Sequence, residues 1–150
     1  MSRHSDFEDG VVAMLAPMLL ANGGALRDIE PFPDMDLQKA FKQVLRNLPG
    51  ALFVSTGMRP GALRTQAQQD QEFSGLLIFG ARSLRNPTDG LRRSEGVYDL
   101  LDQSRSLLNG QLLAGFGTLT AGQEKPMAGG ADQNSQQAAL WAQAWSVVRY

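Results

Sequence analysis

The chain has no cysteine, one histidine and only three lysines (Lys39, Lys42 and Lys125) in 150 residues. The missing cysteine excludes disulfides, thiolate nucleophiles and cysteine metal sites, and fits a reducing compartment. With His4 as the sole histidine, the usual nucleophile–base pairs and three- or four-ligand zinc sites have little to draw on. Charge of one sign is also lacking. The formal net charge of −1 gives no global field to attract nucleic acid or an anionic membrane. Nor does any apolar run reach the roughly 20 residues that span a bilayer. The run Val11 to Ala21 (VVAMLAPMLLA) follows Asp6, Glu8 and Asp9, where a secretory leader would carry positive charge. It reads as a buried helix in a protein that stays where it is made.

What is present is an ordinary folding composition, 43% hydrophobic and 19% charged, which suits one domain over residues 1–150 with its own core. The arginine-for-lysine bias suits interfaces, because the planar guanidinium is weakly hydrated; a GC-rich genome gives the same bias. Ser5 and Glu8 form a capping box for a first helix whose face carries Phe7, Val11, Leu15, Met18 and Leu19. His4 falls outside that helix as a solvated neighbour of the cap. Pro17 should kink the last turn, and Asn22-Gly23-Gly24 should stop it. Leu26 to Phe32 reads as an edge strand. Asp36 caps a second helix carrying Leu37, Phe41, Val44, Leu45 and Leu48, which Pro49-Gly50 ends. Ala51 to Thr56 is a strand, and Arg59 to Gln69 a loop or exposed ribbon.

Within Glu72 to Ser83, Leu76-Leu77-Ile78-Phe79 shows no alternation, the mark of a strand covered on both faces and central in its sheet. A loop over Leu84 to Arg93 leads to a third helix over about Ser94 to Asn109, with Val97, Leu100, Leu101, Leu107 and Leu108 inward and Gly110 closing it. Leu112 to Thr120 is a further candidate strand. The Gly/Gln-rich stretch at about 121–137 is a long loop or hairpin arm, and Ala139 to Tyr150 a terminal strand with Trp141, Trp145 and Val147 on one face. The fold class is α+β: a single mixed or antiparallel sheet with helices packed mainly on one face.

Searched for chemistry, the chain offers little. Asp34 and Asp36 are spaced like metal ligands but sit where a helix begins, so capping is the better reading. Gly115-Phe116-Gly117 lacks the third glycine and the following helix of a phosphate loop. Asp99 and Asp102 belong to a solvated helix face. The expectation is no catalytic residue, no cofactor and no metal site. Two features suggest binding instead. Arg82, Arg85, Arg92 and Arg93 gather ahead of the third helix, while the first 36 residues hold seven acids against Arg3 and Arg27. Simple solvation explains most charge runs, yet separated acidic and basic patches let copies dock head to tail, which closes a ring where the rotation permits. The second feature is the 121–137 arm.

Several segments together resemble a known family: Ile29-Glu30-Pro31-Phe32, Leu48-Pro49-Gly50-Ala51-Leu52-Phe53-Val54, Phe79-Gly80-Ala81-Arg82-Ser83-Leu84-Arg85, and Gly96-Val97-Tyr98-Asp99-Leu100-Leu101 followed by Leu107-Leu108-Asn109-Gly110. Their order is similar to that of the Mu-like phage tail proteins encoded just ahead of the tail sheath. The resemblance covers most of the chain and fades over 121–137. It implies a tail terminator, a small α+β subunit forming a homo-oligomeric ring, a hexamer, that caps the tail tube and sheath and offers its other face to the head-tail connector. It implies no catalytic residues, no specific nucleic acid and no membrane, and a place in the host cytoplasm during assembly and then at the neck of the virion. The alternatives are a head-completion or neck connector protein of the same particle, and a small cytoplasmic ligand-binding module or enzyme. A nucleic-acid binder using the arginines is disfavoured by the absence of interleaved aromatics.

Overall fold

The computed structural model describes residues 3–32, 36–46, 48–63, 69–82, 97–127, 130–131 and 137–149. Within them the chain runs α1 (Arg3–Met14), β1 (Asp28–Pro31), α2 (Leu37–Leu45), β2 (Gly50–Leu63), β3 (Gln69–Arg82), α3 (Val97–Leu108), β4 (Thr120–Pro126), β5 (Gly130–Ala131) and β6 (Gln137–Arg149). The strands form one sheet in the order β1-β2-β3-β6-β4, with short β5 also paired to β6. β1 runs parallel to β2, and the other pairings are antiparallel. The fold is α+β with a mixed, open sheet.

The sheet is covered twice. On one face α1, the turn after it and α3 pack Phe7, Val11, Leu15, Leu100 and Leu108 against Phe53, Leu77, Phe79 and Trp145. On the other, α2 packs Ala40, Phe41 and Val44 against Leu52, Val54, Ile78 and Ala142. Two of the three helices therefore share a face, and α2 takes the opposite one alone. Side chains alternate across a strand, so Leu77 and Phe79 enter the larger core while Ile78 enters the smaller. All three are fully buried. The apolar run without alternation is the middle strand, as its pattern predicts. Gly80 lets α2 sit close: a Cβ there would lie 2.6 Å from Val44 and 2.8 Å from Leu48.

The helices show where local signals prevail and where they do not. Asp36 caps α2 as expected, its carboxylate accepting from the backbone N–H of Gln38 at 3.0 Å and Lys39 at 3.4 Å. α1 departs from the expectation, because Arg3 is already helical and Ser5 and Glu8 lie inside the helix instead of forming its capping box. Its first turn is held by tertiary contacts. Arg3 donates to Gln71 Oε1 at 2.6 Å, and His4, inside the helix and not beside it, meets the Phe73 ring edge-on with centroids 5.2 Å apart. The α-helix ends at Met14, earlier than Gly23. Pro17 does more than kink it. Two short 3-10 turns, Ala16–Met18 and Leu20–Asn22, carry the chain on to Gly23, whose left-handed backbone (φ 89°) closes the segment.

β1 is the edge strand expected near residues 26–32. The ribbon alternative holds at residues 59–63, where β2 and β3 continue as a hairpin of two 14-residue strands. Leu112 to Thr120 is not a strand. Gly115 turns left-handed (φ 81°) and folds the segment back on itself, with only one isolated bridge, Leu112 to Thr118. Leu113 and Leu119 are buried there, so it serves as an anchored turn. Of the 121–137 stretch, the described residues supply most of β4, all of β5 and the first residue of β6; residues 128–129 and 132–136 lie outside the described residues.

Ile78 reports on this architecture. Ile78→Val removes one buried methylene and should lower stability by about 1 kcal/mol, read from the urea midpoint at unchanged slope. Ile78→Asp places an unpaired charge between sheet and α2 and should abolish the cooperative melt. A soluble Ile78→Asp protein with wild-type melting would contradict the central placement of β3.

Candidate functional site

The four arginines read from the sequence are placed only in part. Arg82 ends β3, its backbone opposite Ala138 of β6. Its side chain, and the whole of Arg85, Arg92 and Arg93, lie outside the described residues. Among the described residues no group of three or more His, Cys, Asp or Glu is arranged to hold a metal. A depression between β1, α2 and the start of β2, lined in part by Asp28, Glu30 and Gln43, encloses only about 10 Å³, far below ligand pockets of roughly 300–1,000 Å³. Gln43 Nε2 donates to Glu30 Oε1 there at 3.2 Å, tying α2 to the edge strand. On α1, burial pushes the Glu8 carboxyl above its ordinary range; Asp9 adds to the shift and His4 opposes it.

The most organised polar chemistry is one that the sequence reading passed over. Gln143 of β6 and Ser104 of α3 are both fully buried. The Gln143 oxygen accepts from Trp145 Nε1 at 2.7 Å and from the Ser104 hydroxyl at 2.8 Å. Its Nε2 donates to the Leu101 carbonyl at 3.2 Å and to Glu124 Oε2 of β4. All four hydrogen-bonding positions of the amide are thus used. Their chemistry fixes its orientation, since an indole N–H can only donate and a carboxylate only accept. The Ser104 hydroxyl also lies 2.9 Å from the Leu101 carbonyl, but with one proton and Gln143 already serving that carbonyl, it donates to the Gln143 oxygen. Glu124 extends the network outward in an ion pair with Arg105 of α3, 2.8 Å. One buried amide therefore joins α3, β6 and β4. Two signals were available in the sequence. Gln143 falls in phase with Trp141, Trp145 and Val147 on the apolar face of β6, and Ser104 stands four residues from both Leu100 and Leu108 on the inward face of α3.

The surface offers contact features outside this network. Beyond the last residue that β1 covers, β2 projects with Met58 38% and Leu63 69% exposed. Its ladder with β3 shifts register after Ser55 and again after Pro60, and Arg59 pairs with Glu72 across the ribbon at 2.7 Å. Near the start of α3, half-exposed Tyr98 packs edge-on against Trp141, centroids 5.7 Å apart.

Substitutions at Gln143 test the network. Gln143→Leu keeps the volume but strands the indole N–H of Trp145, and should lower stability by about 2 kcal/mol. Gln143→Glu should be worse at neutral pH, because it sets a second carboxylate against Glu124 and loses both donors. Its deficit should shrink as acid protonates the pair, as thermal melts across pH will show.

No curated protein matches the chain at a significant level. No helix among the described residues is long and apolar enough to cross a membrane. The family described as Bacteriophage Mu, Gp37 matches residues 5–150, from the first turns of α1 to the end of β6. With a match across nearly its whole length, the chain belongs to the Bacteriophage Mu, Gp37 family of phage structural proteins.

Proposed function

We propose that the protein is the tail terminator of a Mu-like phage: a hexameric ring that caps the tail tube and sheath, stops their polymerisation and presents its other face to the head-tail connector. Its setting is the host cytoplasm during assembly and the neck of the virion afterwards. Family membership supplies the phage context. The observation that carries the finer reading is the β2–β3 ribbon. A terminator must grip the last ring of a polymer without offering the surface on which another ring would grow. The ribbon has both properties. Exposed Met58 and Leu63 give it apolar side chains that no core uses. Its open backbone edge is blunted by Pro60, which has no N–H, and by two register shifts, devices that discourage indiscriminate strand pairing. Contact through side chains is favoured and continuation through the sheet is not. Ring symmetry repeats each modest contact, so avidity supplies the strength.

The arginines Arg82, Arg85, Arg92 and Arg93 are proposed as the charged part of the subunit boundary, facing acids of a neighbouring copy or of the adjoining tail protein. A single exposed ion pair is worth only about 0–1 kcal/mol, so one substitution should do little. Reversal of Arg92 and Arg93 to Glu changes every boundary of the ring at once.

Native mass spectrometry of the purified chain should show a hexamer. A phage lacking the protein should build tails of uncontrolled length, seen by electron microscopy. Normal-length tails that fail only to join heads would instead assign the protein to the neck. Arg92→Glu with Arg93→Glu should leave circular dichroism unchanged and weaken the ring at low salt, with partial recovery at high salt as like charges are screened. Intact rings and normal tails from the double reversal would remove these arginines from the interface.

A further inference from the structure

We propose that β4 is a strap that opens from the sheet independently of the core, and that Glu124 is its latch. Among the strands along the main path of the sheet, β4 alone has no buried residue. Only Ala121 and Glu124 are half-buried, and the rest of Thr120–Pro126 is exposed. Its ladder to β6 breaks between Ala121 and Glu124, leaving two pairs on one side and three on the other. The last pair ends on Pro126, which has no N–H to give. Hydrophobic burial therefore contributes little to holding this strand, and so does its ladder.

The anchor is electrostatic and sits on one side chain. Glu124 accepts from Gln143 Nε2 of β6 and pairs with Arg105 of α3. No other β4 side chain among the described residues makes a hydrogen bond or ion pair. The backbone adds one contact, the N–H of Ala121 to Asn109 Oδ1 at 3.3 Å. Opening would leave the interior intact. Gln143 keeps its bonds with Trp145, Ser104 and Leu101, all on β6 and α3, and the single N–H released from Glu124 turns to water. Trp145 and Leu119 stay buried in a core to which β4 contributes only the edge of Ala121. Elements with few buried contacts and a solvated ladder open well below the free energy of global unfolding. Opening this one bares the outer edge of β6 from Trp141 to Ser146, a row of backbone donors and acceptors ready to receive a strand.

Hydrogen exchange of the full chain, read by mass spectrometry, tests the latch. Amides of residues 121–125 should exchange at least about tenfold faster than those of residues 76–79 in β3, and Glu124→Ala should speed them about tenfold again while leaving β3 within twofold. Glu124→Gln keeps an oxygen for the Gln143 amide but loses the ion pair, and should fall between. Arg59→Ala breaks an exposed ion pair remote from β4, that with Glu72, and should leave β4 unchanged. The chain has no cysteine, so Thr120→Cys with Ser146→Cys, opposite each other in the ladder, forms a unique disulfide that should cancel the Glu124→Ala effect. Equal rates for β4 and β3, an unchanged β4 in Glu124→Ala, or equal acceleration of both strands would overturn the proposal.

Discussion

Because Leu77 and Phe79 leave β3 on one side and Ile78 on the other, this strand is stable only with apolar cover on both faces, and the remaining elements are arranged to provide it. β2 and β6 flank β3 along most of its length and satisfy its backbone on both edges. α1 and α3 then close the larger core, and α2, delivered by the crossover from β1 to parallel β2, closes the smaller. An unpaired polar group placed at this centre would be expensive, and Gln143, the cross-strand neighbour of Leu77, is tolerated there because every hydrogen-bonding position of its amide is used. Gln143 and Ser104 sit where α3 meets β6, in reach of partners that satisfy them completely.

The same demand explains the gradient of order across the sheet. Strands near β3 are held by two layers of side chains, whereas the edges are held by less. β1 is four residues long and gains an anchor from the Gln43–Glu30 contact. β4 depends on Glu124. On the β2–β3 ribbon α1 reaches Gln71 and Phe73, whereas Met58 and Leu63 stay exposed for contacts outside the subunit. Stability is thus concentrated in the middle and the exposed surfaces lie at the rim, where a change of contact does not disturb the core.

Much of this was legible from residue pattern. The unalternating run Leu76–Phe79 gave the central strand, Asp36 the cap of α2, and Phe7, Val11 and Leu15 the buried face of α1 and of the turn that ends it. Each is a local or strictly periodic signal, and such signals survive whatever the rest of the chain does. The misreadings have a shared cause. The Ser5–Glu8 pattern suits a helix start, but Arg3 and His4 are drawn into the helix by Gln71 and Phe73, some 70 residues away in sequence. Leu112 to Thr120 has the composition of a strand, but the reversal at Gly115 and the burial of Leu113 and Leu119 make it an anchored turn. Gln143 was passed over because the worth of a buried amide depends entirely on its partners, which come from α3, β4 and β6.

By itself the sequence determined the α+β class, the order of most elements and the centre of the sheet, because hydrophobic periodicity and capping act within a few residues of the chain. Its ordered segments also pointed to the Mu-like phage family. Only the tertiary structure decided that α2 takes one face alone, that a single glutamine joins α3 to two strands, and that β4 hangs on one carboxylate. Those outcomes depend on distances between residues far apart in the chain, and no pattern along the chain encodes a distance across it.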